Sequence, residues 1–548
     1  MRTIRATLID ADYITKEGNP IIRLILKKKR FFRLYDDAFE PYFYLDCEDR
    51  KAGEKAVLEI SVADMRGEKV GVKRVEEVEL MAMGKKKAML KVVCRHPGHV
   101  PLLRDRIVKL GRIYEYDIPF ARRYLMDRKI SPFDEVEAEC AGKLIKAVKK
   151  VGEGSAELRT AAFDIETYNP RGEPDATRDP VVMISHANGK GQVITSREVK
   201  GADFVNRVKG EREMIDAFCA YLKEKDVEVL VGYNSSVFDL PYLKTRAQKT
   251  GTKLVLGRDG SDFSVKKRGL NEVARIIGRI HVDLYFVTRF LGIIGAIKTP
   301  QYTLKETYAE IMGKPKEKTI SKLDVWKLWD DEKGRQELAD YSLNDAVATK
   351  ELADRLIPME VELSRICGAT LFDIVGATAS QLVEMLLMRR SGEKGMLIPN
   401  RPGEDEMRGR MEPVKGAYVK MPQAGIYDNL AVLDFRGLYP SLICAYNIDP
   451  FTLVKKEKGA EKDGKAEKGR GAREEGEQEG GEEKDVYVSP AGHAFSKSRK
   501  GIVPAVLEEI LDKRAEVKKE LRKWETKPDS SEYRQLYAIS QALKVIAN

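Results

Sequence analysis

Two acidic residues alternate with apolar ones in the stretch TAAFDIET, residues 160–167. If this stretch is a β-strand, Phe163 and Ile165 face a core while Asp164 and Glu166 share the opposite face, roughly 7 Å apart. Carboxylates this close repel each other unless cations lie between them, and hard divalent cations prefer oxygen ligands. A solvated strand face shows the same alternation, so the pair alone leaves metal binding and a bare acidic surface both open.

Two later segments carry polar side chains that could join this pair. The apolar run VLVG predicts a strand that enters a turn, and the turn is followed by Asn234, Phe238 and Asp239. Further along, Tyr341 and Asp345 are four residues apart in a predicted helix, so their side chains lie on one helix face. On spacing alone, one shared site and a solvated acidic surface both remain open.

A second candidate metal ligand lies in the stretch AVLDFRGLYPSLI. The apolar residues 431–433 predict the end of a buried strand, and Gly437 and Pro440 enforce a turn after it. A carboxylate at this position, here Asp434, can hold a divalent cation, with backbone oxygens nearby to complete the shell. A structural role as a turn or cap residue is the alternative.

Basic residues are spaced at helical intervals near the end of the chain. Arg514 and Lys518 are four residues apart, as are Lys544 and Asn548, within two stretches whose apolar residues recur with helical periodicity. Such pairs fit either a solvated helix face or a surface that binds an anion.

Length and composition predict several folded domains. A chain of 548 residues is too long for one core, and at ~150 residues per domain it predicts three or four. Hydrophobic residues make up 43% and charged residues 34%, which excludes a disordered chain. The net charge of +10 fits a surface that binds nucleic acid, although a generic solvated surface would account for it as well.

The cysteines and the amino terminus indicate a cytoplasmic protein. Six cysteines are scattered without a C-x-x-C pair, which argues against a zinc ribbon or redox motif and predicts reduced thiols. The first residues lack the apolar core of a signal peptide, and no apolar run is long enough to span a membrane, so no membrane partner is expected. Residues 455–485 are rich in Gly, Glu and Lys with almost no apolar residues, which predicts a disordered insertion.

These motifs resemble those of the family B DNA polymerases. The three acidic segments match the exonuclease motifs F-D-I-E-T, N-x-x-x-F-D and Y-x-x-x-D, intact and in order. The stretch around Asp434 matches motif A, D-F-x-S-L-Y-P-S, with Gly437 in place of a small Ser or Ala. Residues 544–548 match the opening of motif B, K-x-x-x-N-S-x-Y-G.

The resemblance implies a 3′→5′ exonuclease site. In it Asp164, Glu166 and Asp345 hold two Mg²⁺ ions, with Mn²⁺ as an alternative, so that a water is activated and the departing 3′-oxygen is stabilised. The other implied roles belong to Asp239, a ligand through water; Tyr341, which orients the nucleophile; and Asn234 and Phe238, which position the terminal nucleotide of the single strand. Because this chemistry needs no imidazole, His281 is interpreted as structural.

The resemblance also implies part of a polymerase site. Asp434 and the backbone of Phe435 would bind catalytic Mg²⁺, and Tyr439 would pack under the nucleotide sugar, where a 2′-hydroxyl would clash. The incoming nucleotide would be bound by residues of the fingers, namely Arg514, Lys518 and Lys544, which grip its triphosphate, and Asn548, which faces it.

The amino-terminal residues are similar to the domain with which archaeal members of the family detect uracil in the template. The motifs that carry this similarity include DYIT, EPY and YDIPF. A flipped-out base needs an apolar slot, an aromatic face and a few polar contacts. The positions that match the lining of this pocket are Tyr13, Pro41, Val100, Phe120 and Arg123.

The fold class expected from the resemblance is a multidomain α/β protein. It comprises a β-rich amino-terminal domain, a ribonuclease H-like exonuclease domain, part of a polymerase palm, and a helical fingers hairpin. The expected boundaries are 1–135 for the first domain, with 357–390 packing back on it, 136–356 for the exonuclease, 391–500 for the palm with the insertion, and 501–548 for the fingers.

The sequence departs from the family after Asn548, inside motif B. The rest of motif B, the Y-x-D-T-D motif and the thumb do not follow, although two-metal nucleotidyl transfer needs a second aspartate opposite Asp434. We therefore expect polymerase activity to require a carboxy-terminal polymerase fragment, joined by non-covalent association or by intein splicing. A truncated form of a longer chain is the alternative, and contacts with a sliding clamp would come through the missing part.

Three functions remain open on the sequence. The first is a DNA-directed DNA polymerase component for replication with proofreading, whose partners are primer-template DNA and deoxynucleoside triphosphates. The second is a stand-alone 3′→5′ exonuclease. The third is a non-catalytic DNA-binding subunit that senses uracil, and the intact carboxylates of the exonuclease motifs count against it.

Overall fold

The structure is a computed structural model of the 548-residue chain. It describes every residue except 65–66, 83–84, 156, 269–270, 318–319, 322–323, 402, 404–417, 434, 436, 455–484, 491, 529 and 548, and the side chains of 268 and 531. Two predicted polymerase residues, Asp434 and Asn548, therefore lie outside the described residues, as does the predicted insertion apart from Asp485.

The chain begins with a closed β-barrel in the order β1-β2-β3-β10-β9. Its strands are β1 (Arg2–Lys16), β2 (Asn19–Lys27), β3 (Phe31–Asp36), β9 (Asp134–Ala141) and β10 (Leu144–Glu153). Antiparallel pairing of β1 and β2 forms a hairpin, whose turn residues Glu17 and Gly18 both have positive φ angles. The last two barrel strands extend past the predicted boundary at 135, because β9 pairs with β1 over a long sequence separation.

A five-stranded sheet in the order β5-β6-β7-β4-β8 follows the first three barrel strands. Its strands and the accompanying helices are β4 (Tyr42–Asp46), α1 (Arg50–Glu59), β5 (Ser61–Ala63), β6 (Lys69–Ala82), β7 (Lys85–Cys94), α2 (Val100–Ile107), β8 (Arg112–Tyr114) and α3 (Phe120–Arg128). Phe43 and Leu45 on β4, which lies between β7 and β8, are fully buried, together with Leu103 of α2. The β-rich amino-terminal region is thus built from a barrel and a sheet with separate cores.

The third unit is a six-stranded mixed sheet in the order β14-β13-β12-β11-β15-β18. Its strands are β11 (Thr160–Thr167), β12 (Val181–Asn188), β13 (Lys190–Thr195), β14 (Val205–Arg207), β15 (Val229–Gly232) and β18 (Ile280–Asp283). The strand with the alternating carboxylates, β11, is central, because it pairs antiparallel with β12 and parallel with β15. A hairpin of β16 (Ser264–Arg268) and β17 (Asn271–Arg275) precedes β18.

Helices cover both faces of this sheet. On one face, α4 (Glu211–Glu224) and α5 (Asp239–Thr250) enclose a core in which Phe163 and Phe218 have ring centroids 5.4 Å apart. On the other face lies the long helix α9 (Gly334–Cys367), which contacts β11, β12 and β15. The side chains of β11 that point away from the first core therefore face α9.

The remaining helices of this region surround the long helix. They are α6 (Leu284–Ile293), α7 (Leu304–Met312), α8 (Val325–Asp330), α10 (Leu371–Ile374) and α11 (Ala379–Glu393). Helix α11 contacts α3 of the amino-terminal region, and Arg122 of α3 forms an ion pair of 3.5 Å with Asp373 of α10. Helices α10 and α11, which follow the six-stranded sheet in sequence, thus contact the amino-terminal region.

The carboxy-terminal part is helical and packs on α9 and α11. Its elements are α12 (Leu438–Ala445), a small sheet of β19 (Leu453–Val454), β21 (Ala494–Ser496) and β20 (Val486–Val488), and the helices α13 (Ile502–Arg522) and α14 (Ser531–Ala547). Helices α13 and α14 contact each other, α11 contacts both, and α14 contacts α9. Residues of α13 and α14 share one buried hydrophobic cluster with residues of α9, α11 and the six-stranded sheet.

The buried strand predicted at residues 431–433 is not observed, and this prediction is wrong. Val432 and Leu433 are 84% and 93% exposed, and within the described residues this run belongs to no strand. Because a strand forms only where its backbone groups pair with a neighbouring strand, the run stays irregular without such a neighbour.

All six cysteines are free thiols, as predicted from their scatter along the sequence. Across the described part of the chain, no helix combines the length and the apolar character that crossing a membrane requires.

Candidate active site

Three carboxylates converge between the mixed sheet and the long helix. Asp164 and Glu166 come from the central strand β11, and Asp345 comes from α9. One oxygen from each residue lies within 4.8 Å of the others, and Glu166 and Asp345 are only 7% and 8% exposed. The predicted strand alternation places the first two on the same face, where α9 brings the third.

This cluster fits hard divalent cations. The three side chains offer only carboxylate oxygens, which are the ligands that Mg²⁺ and Mn²⁺ prefer. Three acidic groups at this spacing repel one another strongly in a partly buried site, and a bound cation relieves that repulsion. The donor set therefore supports the predicted cofactor class.

Tyr341 lies one helical turn before Asp345, as the sequence predicts. Burial raises the pKa of the Tyr341 phenol, and the neighbouring Glu166, Asp345 and Asp164 carboxylates raise it further. The phenol therefore stays protonated at neutral pH. It can donate a hydrogen bond to a nucleophile or to a phosphate oxygen, and it cannot serve as a base.

Lys316 is a residue of this site that the sequence analysis missed. Its side chain is 3% exposed, its ammonium group forms an ion pair with Oδ1 of Asp345, and its Nζ lies 4.7 Å from the centroid of the Tyr341 ring. No pattern pointed to it, because Lys316 lies in the polar stretch GKPKEK, which has the composition of a solvated loop. The ammonium group partly balances the acidic cluster.

We expect Lys316→Met to destabilise the protein when divalent metal is absent. Removing one partner of a buried ion pair leaves an uncompensated charge and costs roughly 3 kcal/mol. Thermal unfolding in EDTA should therefore begin at a lower temperature than for the unchanged protein, and added Mg²⁺ should restore much of the loss.

Lys350→Met is the matched control, because Lys350 pairs with Asp354 on the same helix and that carboxylate is 58% exposed. Solvent screens a pair in which one partner is this exposed, so the pair contributes little and this variant should unfold close to the unchanged protein. Equal losses in the two variants would contradict a specific role of Lys316 in balancing the acidic cluster.

A cavity of about 640 Å³ opens beside the carboxylates. Its lining includes Asn234, Phe238 and Asp239, so the structure brings the second predicted motif to the first and third. Asp239 is 4% exposed and begins α5, while Phe238 is half-buried with its ring 5.4 Å from that of Tyr242. The volume is in the range of pockets that hold a nucleotide-sized ligand.

A further part of the cavity wall was also absent from the sequence analysis. It is formed by the segment that leads into α7 and by the start of that helix, including Gln301, Tyr302 and Lys305. Tyr302 is fixed there because its carbonyl oxygen accepts a hydrogen bond of 2.8 Å from the hydroxyl of Tyr233. This wall provides both polar and aromatic groups.

The predicted polymerase residues occupy the carboxy-terminal part. Phe435 and Tyr439 are 76% and 74% exposed, and Tyr439 lies in the first turn of α12. Arg514 and Lys518 lie on α13, and Lys544 lies on the adjacent α14. The structure thus places the three predicted cations on two helices that pack together, as expected for a fingers hairpin.

The residues predicted to line a template-uracil pocket are only partly brought together. Tyr13 is 40% exposed and meets the buried Phe120 edge to face, with ring centroids 5.4 Å apart. Pro41 and Val100 are buried, and Val100 belongs to the core of the five-stranded sheet. The pocket itself stays a prediction.

Arg123 contacts Glu115 and Tyr42. Its guanidinium forms an ion pair with Glu115, with side-chain exposures of 7% and 4%, and lies 4.8 Å from the centroid of the Tyr42 ring. The other oxygen of Glu115 accepts a hydrogen bond of 2.7 Å from the Ile398 amide. Through Glu115, Arg123 therefore links the amino-terminal region to the residues that follow α11.

The family profiles and the similar proteins that this chain matches are all DNA polymerases. Residues 111–307 match the profile of "DNA polymerase family B, exonuclease domain", and residues 370–548 match that of "DNA polymerase family B". The DNA polymerase of Thermococcus gorgonarius is 37% identical over 546 residues, and that of Pyrococcus glycovorans is 38% identical over 547 residues. Each comparison covers 99% of this chain and 63% of the relative.

A solved structure agrees with these sequence comparisons. The family B DNA polymerase from the hyperthermophilic archaeon Pyrobaculum calidifontis superimposes with a TM-score of 0.79 at 32% identity, covering 99% of this chain and 67% of that one. The mixed sheet with its acidic cluster defines a candidate nuclease centre. The same chain also carries the hairpin of helices α13 and α14. The chain belongs to DNA polymerase family B, and its relatives are archaeal.

Proposed function

We propose that this chain removes nucleotides from the 3′ end of single-stranded DNA by hydrolysing the terminal phosphodiester bond. The observation that carries this proposal is the cluster of Asp164, Glu166 and Asp345 at the edge of a nucleotide-sized cavity. The same cavity is lined by Asn234 and Phe238, which can contact a terminal base and sugar.

Each residue of the proposed exonuclease site has its own role. The three carboxylates would hold Mg²⁺ or Mn²⁺, which would supply Lewis-acid activation of water and neutralise charge on the phosphate and the leaving 3′-oxygen. Asp239 would contribute to metal binding through a water molecule. The protonated Tyr341 orients the nucleophile by hydrogen bonding, and Phe238 stacks on the terminal base.

We further propose that the chain is the large amino-terminal component of a DNA-directed DNA polymerase for replication. In this component Asp434 and the backbone of Phe435 would bind catalytic Mg²⁺, and Tyr439 would pack under the sugar of the incoming nucleotide. The triphosphate is bound by cations of the fingers hairpin, namely Arg514, Lys518 and Lys544. Asn548 faces the same nucleotide.

Polymerase activity then requires a carboxy-terminal segment that supplies the second catalytic aspartate and the thumb. Support comes from the exposed apolar side chains between residues 418 and 442. Ile426, Leu430 and Leu433 are 98%, 72% and 93% exposed, and Val432 between them is 84% exposed. Soluble proteins seldom leave so many large apolar groups in one stretch in water, so this stretch fits a surface that a partner segment covers. The curated relatives are also longer than this chain.

Primer extension and 3′-end degradation by the purified chain test both proposals. The assays should be run on the chain alone, on the chain mixed with a carboxy-terminal polymerase fragment, and on the two fused at residue 548. We expect degradation of single-stranded DNA under all three conditions and extension only with the fragment present. Extension by the chain alone would contradict the requirement for a partner segment, and absence of degradation throughout would contradict the exonuclease assignment.

A stand-alone 3′→5′ exonuclease is the second candidate, and the complete carboxylate cluster within this chain favours it. The same assays separate the two functions. Degradation in all conditions without extension by the fused protein would support the stand-alone enzyme.

A further inference from the structure

The turn that carries Asn234 and Phe238 has an unusual backbone. The strand β15 ends at Gly232, and Asn234 then adopts a left-handed conformation with φ of 63°. A Cβ on Gly232 would lie 2.2 Å from Oγ of Ser235, so the turn closes directly against the end of the strand. A non-glycine residue in this conformation costs free energy, which surrounding contacts must offset.

Those contacts come from the neighbouring strand β18, and the main one is Asp283. Its side chain is fully buried, and in the parallel pairing of β15 with β18 it lies beside Gly232. Oδ1 of Asp283 accepts a hydrogen bond of 2.8 Å from the Asn234 amide, and Oδ2 accepts one of 2.8 Å from the Ser236 amide. Oδ1 also accepts one of 3.1 Å from the Tyr285 amide, which caps α6.

His281 contacts Ser235, which lies between Asn234 and Ser236 in the turn. It lies two positions before Asp283, hence on the same face of β18. Its Nδ1 lies 3.3 Å from the carbonyl oxygen of Ala274, which can only accept, so Nδ1 carries the proton and Nε2 accepts from Oγ of Ser235 at 2.9 Å. Burial lowers the pKa of His281 to about 4, in agreement with this neutral ring.

We propose that Asp283, assisted by His281, is a positioning residue of the exonuclease site. Its carboxylate fixes the backbone from Asn234 to Ser236 and so presents the side chains of Asn234 and Phe238 to the terminal nucleotide. This inference rests on the proposed exonuclease function. Asp283 acts through the turn, because its hydrogen bonds go to the backbone amides of Asn234, Ser236 and Tyr285.

The chemistry of this contact requires a carboxylate. Two of its donors are backbone N–H groups on either side of Ser235, and a third belongs to α6, so both oxygens must accept. An amide in the same place offers one accepting oxygen, and its NH₂ group faces an N–H group that it cannot satisfy. Hydrogen bonds from amides to an ionised group are stronger than neutral ones, so their loss loosens the turn.

Asp283→Asn is therefore the test. In degradation of a single-stranded oligonucleotide, we expect KM to rise about 10-fold, the factor that corresponds to the loss of one charge-assisted hydrogen bond. The Mg²⁺ concentration for half-maximal rate should stay unchanged, because the ligand cluster is intact. Asp49→Asn is the matched control, since Asp49 caps α1 through the Ala52 amide in the amino-terminal region. It should leave KM unchanged.

A mutant cycle distinguishes positioning from a merely structural effect. If Asp283 acts through the turn, Asp283→Asn should raise KM far less in an Asn234→Ala background than in the unchanged protein. Equal effects in the two backgrounds would overturn the proposal, as would an unchanged KM for Asp283→Asn alone.

A milder variant covers the case in which Asp283→Asn fails to fold. Ser235→Ala removes only the hydrogen bond to His281 and should raise KM about 3-fold with an unchanged Mg²⁺ dependence. An unchanged KM would overturn the role of the β18 contacts. If the unchanged chain itself degrades no DNA, the proposed exonuclease function fails, which differs from degradation that is insensitive to these substitutions.

Discussion

Replacing Asp164 and Glu166 together by alanine is expected to lower degradation of single-stranded DNA by about 10³-fold or more. Loss of preorganised groups that stabilise developing charge has effects on this scale. Two of the three carboxylates within 4.8 Å of one another are removed, so the remaining Asp345 cannot hold the ions that the proposed reaction uses. The rate should be measured over a range of Mg²⁺ concentrations that extends above the one saturating the unchanged protein, and the loss should persist throughout that range.

The same double variant makes a second, independent prediction about stability. Because the carboxylates repel one another, their removal should leave the unfolding temperature in EDTA unchanged or raise it. The rise in unfolding temperature that Mg²⁺ produces in the unchanged protein should disappear. Loss of activity together with a lower unfolding temperature in EDTA would indicate a folding defect instead.

Asp354→Ala is the control for this experiment. Asp354 lies on α9 like Asp345, but its side chain is 58% exposed and pairs with Lys350. This variant should keep both the activity and the stabilisation by Mg²⁺. Undiminished degradation by the double variant would show that the hydrolytic site lies elsewhere in the chain.

The parts of this site that were predictable from the sequence follow from local periodicity. The alternation along β11 places Asp164 and Glu166 on one face, and the interval of four residues on α9 places Tyr341 and Asp345 on one face. The order of the motifs, matched to a known family, then indicated that these faces meet. Neither step required knowledge of how the chain folds back on itself.

The residues that were missed reach the site through contacts distant in sequence. Lys316 pairs with Asp345 from a polar loop, and its burial depends on the path of that loop. Asp283 ends a strand of buried residues. Its carboxylate accepts hydrogen bonds from the amide groups of Asn234 and Ser236, which lie more than forty residues earlier in the sequence. No periodicity encodes such contacts, because they depend on the pairing of β15 with β18.

The same distinction applies to the fold. The β1–β2 hairpin was predictable because its turn is local, whereas closure of the barrel by β9 and β10 depends on pairing with the first strand. Burial at 431–433 was expected from an apolar run, yet these residues are exposed. An apolar run shows that a segment needs a partner surface, and it does not show which segment provides that surface.

Asp434→Ala is expected to lower primer extension by about 10³-fold or more in the chain fused to a carboxy-terminal polymerase fragment, and to leave 3′-end degradation unchanged. The three exonuclease carboxylates come from β11 and α9, whereas Asp434 follows the exposed run at 431–433 in the carboxy-terminal part. A substitution in one carboxylate set should therefore leave the other reaction intact. The converse variant, Asp164→Ala with Glu166→Ala, should extend a matched primer normally and fail to remove a mismatched 3′ nucleotide.

Asp428→Ala provides the matched control, because Asp428 is an exposed carboxylate in the same irregular stretch. It should extend a primer as the unchanged fusion does. Extension that survives Asp434→Ala would place the polymerase metal site on other residues, and parallel loss of extension and degradation would show that the two reactions share one centre. Independent loss of each reaction is the result that the two proposed carboxylate sites require, because they share no residue.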